Sequence, residues 1–483
     1  MDRTWESAIS LDASAAQRKG MTSVRLAHLL DRTIFGSLLA LMAGVAIPYG
    51  TVEPWWESLF ECAAFLLAAL YLIEGWLRDS WQVRGGALLA PLLGLVTFAW
   101  GQSLSWAGAA PISADPYNTK RFAVKLLALV LACGMFLRYT NTRNRMRTLV
   151  FSIIGVAVAS AVFGLLRQTA QGDAPDFILP FLPAGTGYGQ FINRNHFAFL
   201  MELALGLTLG VLLAGRAEHQ RSRSRWLIGI AISLPLWMAL VLSNSRGGIF
   251  SMLCQVLFVA LIYKVGRASQ PAVTIRQRVW RRSGQLALAA CLLLTLAGGT
   301  VWIGGDPLIA RLETAADEVN LDQPPSSEGI RRVEVWRSSW QLSHAYWLTG
   351  VGFGGYWAAI PQYHEGSGRL IPEEAHNDYL EVLASGGLIG ALLAGWFLAA
   401  LVWRAQRALR LTRDPWQRGA RLGALTGLFA VAVHSVFDFG LHLTVNALVA
   451  LALVVIATSE EQFDSPVEAL NAQAFHPTHE LYS

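Results

Sequence analysis

The stretch Arg369-Leu-Ile-Pro-Glu-Glu-Ala-His-Asn-Asp-Tyr-Leu380 ends a long polar segment, and an apolar run from Tyr379 to about Trp403 follows at once. A hydrocarbon core about 30 Å thick takes roughly 20 apolar residues to cross. His376, Asn377 and the carboxylates of Glu373, Glu374 and Asp378 therefore stand where a loop enters lipid. That position suits chemistry on a lipid-borne substrate.

Working outward, the same apolar signal recurs along the chain. Of 483 residues, 54% are hydrophobic and 15% charged, against about a quarter charged in soluble domains. Apolar segments fall near 33–50, 57–77, 87–106, 120–138, 148–167, 196–215, 226–243, 247–263, 286–304, 378–403, 420–438 and 443–458. The fold class expected is an all-α polytopic membrane protein of about 12 transmembrane helices, with one large loop between helices nine and ten. The expected organisation is a leader over 1–32, helices over 33–304, the loop over 305–376, helices over 377–458 and a disordered tail over 459–483. Asp2 and Glu6 precede the first basic cluster and no apolar run follows closely, unlike a secretory signal. Cys62, Cys133, Cys254 and Cys291 all lie in apolar runs, where packing thiols are expected rather than disulfides.

Basic residues set the orientation. With the N-terminus in the cytoplasm, the inner segments hold 27 of the 38 Lys and Arg, and the short outer segments 51–56, 107–119 and 439–442 hold none. The exceptions are informative. Lys120, Arg121, Lys125 and Arg167 lie at or within helix ends. Arg194 and Arg246 lie in compact outer links, and Arg311, Arg331, Arg332, Arg337 and Arg369 in the long loop. Arginines there oppose the topology signal and need a partner or a role. Within the loop, Pro307–Val319 reads as an amphipathic helix. Val333, Trp336, Trp340 and Trp347 share a face suited to the membrane interface or to the loop's own core. Thr349-Gly-Val-Gly-Phe-Gly-Gly-Tyr356 reads as a tight turn or an anion nest.

Four elements resemble the O-antigen ligase and polymerase superfamily. They are Gly187-Tyr-Gly-Gln-Phe-Ile-Asn-Arg-Asn-His-Phe-Ala198, Leu242-Ser-Asn-Ser-Arg-Gly-Gly248, Trp336 to Gly355, and Ala375-His-Asn-Asp-Tyr-Leu-Glu-Val-Leu-Ala-Ser-Gly-Gly-Leu-Ile-Gly390. The resemblance covers about 185–400. It implies an enzyme of the bacterial inner membrane that moves a glycan from an undecaprenyl-diphosphate carrier to an acceptor on the periplasmic side. The acceptor would be lipid A–core in a ligase of lipopolysaccharide biosynthesis, a second lipid-linked glycan in a polymerase of O-antigen or exopolysaccharide, or a protein hydroxyl. No cofactor is implied and, for ligases, no metal. The resemblance carries the roles of functional outer arginines onto Arg194 and Arg246, and that of the loop histidine onto His376.

The chemistry fits those residue types. A departing diphosphate needs charge stabilisation, which arginine supplies through paired donors. A weakly nucleophilic hydroxyl gains from a base of near-neutral pKa, as histidine is. Direct displacement would invert the anomeric carbon. Each residue also has a plainer reading: Arg246 snorkelling or capping, Arg194 beside a cap made by Asn193 or Asn195, His376 beside a cap made by Asn377 or Asp378. Glu373 and Glu374 are rival bases, but as exposed carboxylates they would be weakly basic. Asn377, Asp438, His442 and Arg332 are candidates for orienting His376, and Glu202 for pairing with a polar group on another helix. No Asp-x-Asp pair or His-Glu-x-x-His motif occurs. The basic runs read as cytoplasmic anchors, so membrane lipids and no nucleic acid are the expected surroundings. A secondary transporter of a small anion is the reading from another class, and a polysaccharide-assembly scaffold a third. A transporter places its polar groups near the midplane, whereas here they gather at the outer edge.

Overall fold

The computed structural model describes residues 3–79, 81, 83–106, 108–171, 187–214, 223–267, 332–364 and 372–459. The described residues are helical throughout, apart from loops and one isolated bridge between Tyr188 and Phe191. The main helices are α1 (Arg3–Gly44), α2 (Pro54–Arg78), α3 (Gly86–Gln102), α4 (Pro116–Tyr139), α5 (Arg143–Gln171) and α6 (Arg194–Ala214). Then follow α7 (Arg223–Leu242), α8 (Arg246–Arg267), α9 (Arg332–Ala345), α10 (Asp378–Leu411), α11 (Pro415–His434) and α12 (Thr444–Thr458). Among the described residues, six helices hold a stretch long and apolar enough to cross a bilayer: α1 from Ser23, α2, α4, α5, α6 and α10. Helices α3, α7, α8 and α12 hold shorter apolar stretches. The expected crossing at 286–304, the segment Pro307–Val319, Arg311, Arg331, Arg369 and the tail beyond Ser459 lie outside the described residues.

Helix starts follow local chemistry. Pro54, Pro116 and Pro415 occupy the first helical position, where a missing N–H costs nothing. Asp115, Asp414 and Asn377 cap α4, α11 and α10 with side-chain oxygens, each worth about 1 kcal/mol. The expected polar leader proves to continue α1 backwards to Arg3.

The centre of the bundle is α6 and α12, most of whose described residues are buried, together with α11, a little over half buried. Helices α6 and α11 meet on glycine. A Cβ on Gly206 would lie 2.4 Å from the Gly427 nitrogen, and one on Gly210 2.3 Å from the Gly423 Cα. Small residues four apart let helix backbones approach this closely in lipid, where dispersion replaces the hydrophobic drive. Peripheral helices instead leave apolar stripes outward: Leu59, Leu66 and Ile73 on α2, and Leu388, Leu392 and Trp396 on α10. Lipid is the solvent such surfaces require.

Hydrogen bonds and ion pairs sort the helix ends into two groups. At one end Asp31 on α1 meets Arg78 and Arg145, Tyr139 donates to Glu74 at 2.8 Å, and Arg143 pairs with Asp414. At the other end Thr444 donates to the Thr51 carbonyl, Asn446 to that of His196, and Lys125 to that of His442. Arg121 and Lys125 both find a partner in Glu57 of α2. The links assigned to the outer side by charge thus gather at this second end.

Helix α10 is not continuous. Gly387 leaves the helical region at φ 57°, ψ −157°, a conformation that essentially only glycine adopts. The loop after α9 fills the break: Leu388 N donates to Trp347 O at 2.8 Å, Val351 N to Ala384 O at 3.0 Å and Gly352 N to Ser385 O at 2.9 Å. Gln102 of α3 completes the joint, donating to the carbonyls of Thr349 and Ser385 and accepting from Phe353 N. Non-helical backbone in a membrane protein needs such internal partners. The glycine run does make the expected tight turn, Gly355 N donating to Gly352 O at 2.8 Å, while the amides of Val351 and Gly352 are taken up by the helix break. It is a clasp across a broken helix, with Gly350, Gly352 and Gly354 at positive φ.

Candidate functional site

The second end of the bundle assembles a polar centre around Asp438, which lies in the link between α11 and α12 and is fully buried. Four side chains from three other elements converge on its two oxygens. His376 Nδ1, from the loop before α10, lies 3.5 Å from Oδ1, and His196 Nε2 of α6 lies 3.9 Å from it. Arg332 Nη2 of α9 lies 3.5 Å from Oδ2, and the Asn195 amide of α6 donates to the same oxygen. Burial works against the Asp438 charge. The imidazole of His376, then the Arg332 guanidinium, outweigh it and hold the carboxyl well below the usual range.

His376 turns one ring nitrogen to this carboxylate while its side chain stays about a third exposed. Its backbone is left-handed, at φ 49°. For a non-glycine residue such a conformation costs on the order of 1–3 kcal/mol and persists where the surroundings impose it. The surroundings are evident. Asn377 caps α10, accepting from Tyr379 N at 3.0 Å and Leu380 N at 3.1 Å, and Asp378 N donates to Ser435 O at 2.9 Å. The cap and the candidate base are thus separate, adjacent residues. Asn377 fixes the helix start from which His376 projects.

Arg194 and Arg246 occupy equivalent positions, each the first residue of its helix, α6 and α8. Asn193 Oδ1 accepts from Asn195 N at 2.9 Å, the cap expected beside Arg194, and Ser245 Oγ accepts from Gly248 N at 3.1 Å at the start of the helix that Arg246 opens. Arg194 precedes Asn195, which reaches Asp438. Arg246 precedes Gly247, where a Cβ would lie 2.6 Å from His434 Nε2, at the last residue of α11. Asp438 N in turn donates to the His434 carbonyl at 3.1 Å. Both arginines therefore start helices that border the Asp438 link.

His442 departs from its expected place. It does not turn to His376; the Phe439 ring lies between them, with centroids 5.0 Å from His376 and 5.5 Å from His442. His442 pairs instead with Glu374 through Nδ1 at 3.4 Å, and with Asp378 at 3.6 Å and Glu381 at 3.5 Å through Nε2. Burial opposes its charge, but the carboxylates of Glu381 and Glu374 raise its pKa to about 10. Glu374 is accordingly not the exposed carboxylate expected. It is two-thirds buried, and despite burial His442 keeps it below the usual carboxylate range. Glu373 is exposed, as expected.

Two groups escaped the reading of the sequence. Asn195 looked like a cap yet serves Asp438. The partner of Glu202 is His434: both are buried, with Nδ1 and Oε1 2.8 Å apart, under the Phe199 ring. Of the loop tryptophans, Trp340 and Trp347 are exposed while Val335, Ser339 and Leu342 form the packed face of α9. Trp340 and Trp347 thus lie outside the loop's own core, whereas Trp336 is half-buried with its indole nitrogen enclosed.

Residues 230–395 match the family model described as O-Antigen ligase, the family the sequence resembles. The match takes in Arg246, Arg332 and His376; Arg194 and Asp438 lie outside it. It supports glycan transfer of the ligase or polymerase kind by a multi-pass membrane protein. No curated protein matches the chain.

Proposed function

We propose that the protein is a glycosyltransferase of the bacterial inner membrane that moves a glycan from undecaprenyl diphosphate to an acceptor hydroxyl on the periplasmic side, most nearly as O-antigen ligases do. Arg194 and Arg246 hold the diphosphate, and His376 is the general base. The acceptor oxygen attacks the anomeric carbon as its proton passes to the exposed nitrogen of His376. The bond from that carbon to the diphosphate oxygen breaks, and the arginines take up the charge that develops there. The step inverts the anomeric carbon. Asp438, 3.5 Å from the other nitrogen of His376, stabilises the imidazolium by its charge, and Arg332 and Asn195 hold Asp438.

The observation that carries this reading is the His376–Asp438 pair: a part-exposed imidazole backed by a buried, ionised carboxylate, beside two arginine-led helix starts. The test is transfer in membranes for His376→Gln and His376→Ala. A base contributes about 10²–10⁴-fold, so both variants should lose that much while protein abundance and donor binding persist. Near-normal turnover in His376→Gln would remove the base.

A further inference from the structure

A carboxylate and an imidazole are sealed inside the bundle, and the transfer step makes no direct use of either. Glu202 of α6 and His434 at the end of α11 are both fully buried, with Oε1 and Nδ1 2.8 Å apart. Ionisable groups buried in a membrane bundle are costly and tend to mark a function. Apolar side chains of the same volume often pack there with equal stability. What the polar pair adds is direction. With Nδ1 against Glu202 and one face on the Phe199 ring, 4.2 Å between centroids, the His434 imidazole is held in a single orientation.

That fixed ring borders every part of the site. Its Nε2 edge faces Gly247, the residue after Arg246. Its partner Glu202 stands about two turns, roughly 12 Å, along α6 from Arg194. The His434 carbonyl accepts from Asp438 N at 3.1 Å. Ser251 of α8 lies against the Glu202 carboxylate, and Gln255 of the same helix donates to the Glu202 carbonyl at 2.8 Å. Helices α6 and α8 are thus tied at two levels below their leading arginines.

We propose that His434 and Glu202 are positioning residues for glycan transfer: the pair sets how far Arg246 stands from Asp438, and hence from His376. The inference rests on the transfer reading. It also explains why glycine follows Arg246. A Cβ on Gly247 would lie 2.6 Å from Nε2 and 2.7 Å from Cδ2 of His434, where such atoms pack at about 3.5–4.0 Å. A loose side chain would swing aside, but this ring is held by Glu202 and Phe199. The start of α8 must therefore yield by about 1 Å and carry Arg246 with it.

The test is kinetic, on full-length protein in detergent with purified lipid-linked donor. A misplacement of about 1 Å can cost about 10²-fold in rate. Gly247→Ala should lower kcat per folded molecule by about that factor, with the donor KM changed far less. His434→Asn keeps an amide where Nδ1 meets Glu202 and removes the ring edge, which makes room for the new Cβ. Gly247→Ala/His434→Asn should therefore regain about tenfold or more in kcat over Gly247→Ala alone. The apolar swap Glu202→Leu/His434→Phe removes both partners together, so it should fold yet lose about tenfold or more in kcat. A merely structural pair predicts the reverse: abundance changes, while kcat and KM per folded molecule do not. A kcat within about threefold of the natural enzyme in Gly247→Ala or in the apolar swap, or no recovery in Gly247→Ala/His434→Asn, would overturn the positioning role. Absence of transfer by the natural protein would sink the transfer reading, and this role with it.

Discussion

Asp438→Asn isolates what a buried charge does for the base. The substitution keeps shape and one acceptor oxygen but removes the negative charge 3.5 Å from His376 Nδ1. Two unit charges at that distance interact by about 5 kcal/mol at an effective dielectric near 20. His376 is about a third exposed, so solvent screens the pair, and roughly 2 kcal/mol is a fair share to survive. That stabilisation exists only when the imidazole is charged, so its loss falls on the transition state, at about 30-fold in rate. The assay is transfer from purified lipid-linked donor in detergent, with donor affinity and thermal melting measured in parallel. Donor affinity should change little, since the arginines are untouched. Arg332→Gln, which leaves the carboxylate in place, should cost less than Asp438→Asn. A turnover within threefold of the natural enzyme in Asp438→Asn would refute the dyad and leave Asp438 a purely structural junction.

Arg194→Lys and Arg246→Lys keep charge but lose paired donors; each should lose most transfer at unchanged abundance, and full activity in both would sink the diphosphate clamp. Asn377→Ala should lower melting stability by about 0.5–2 kcal/mol through the lost cap while sparing turnover per folded molecule, the reverse of His376→Gln. Gly387→Ala would place a Cβ 2.5 Å from the Leu348 carbonyl at a φ that side chains avoid; backbone strain alone costs about 1–3 kcal/mol, and membrane abundance should fall. Asp438 is held below its ordinary pKa when folded, so its stabilising effect is complete above about pH 4 and declines as pH falls below that. Acid melting curves should show this loss in the natural protein and not in Asp438→Asn.

The membrane helices were legible because an apolar run of bilayer length has few other uses. The cap before α10 and the cluster at its mouth were legible for a local reason: Ala375-His-Asn-Asp changes polarity just where the helix starts. The break at Gly387 was not, since Ser385-Gly-Gly387 sits inside an unbroken apolar run, and only the loop 35 residues upstream explains it. Longer separations in sequence hid the site's wiring, Asn195 and Asp438 being 243 positions apart. Phe437-Asp-Phe-Gly-Leu-His442 showed its polar groups, but which carboxylate meets which histidine follows from the Phe439 ring, which sends His376 and His442 to different partners. Glu202 was recognisable as needing a mate, and a histidine 232 positions away supplied it.

The discontinuity in α10 also bears on how the protein lives in a bilayer of changing thickness. The lower piece, Leu388 to Trp403, spans about 24 Å at 1.5 Å per residue, most of a hydrocarbon core, and ends in Arg404 and Arg407. A membrane that thickens or thins is met by tilting such a helix. In an unbroken rod that tilt would be carried to Asp378 and swing His376 against Asp438. Here the upper piece is fastened to α3, the α9 loop and α11 through Gln102, Gly352 and Ser435, and no helical peptide unit at Gly387 relays the lower piece's lean. The loop after α9 grips both pieces, Trp347 and Leu348 taking the amides of Leu388 and Ile389 while Val351 and Gly352 give theirs to Ala384 and Ser385, so protein sets the angle at the joint.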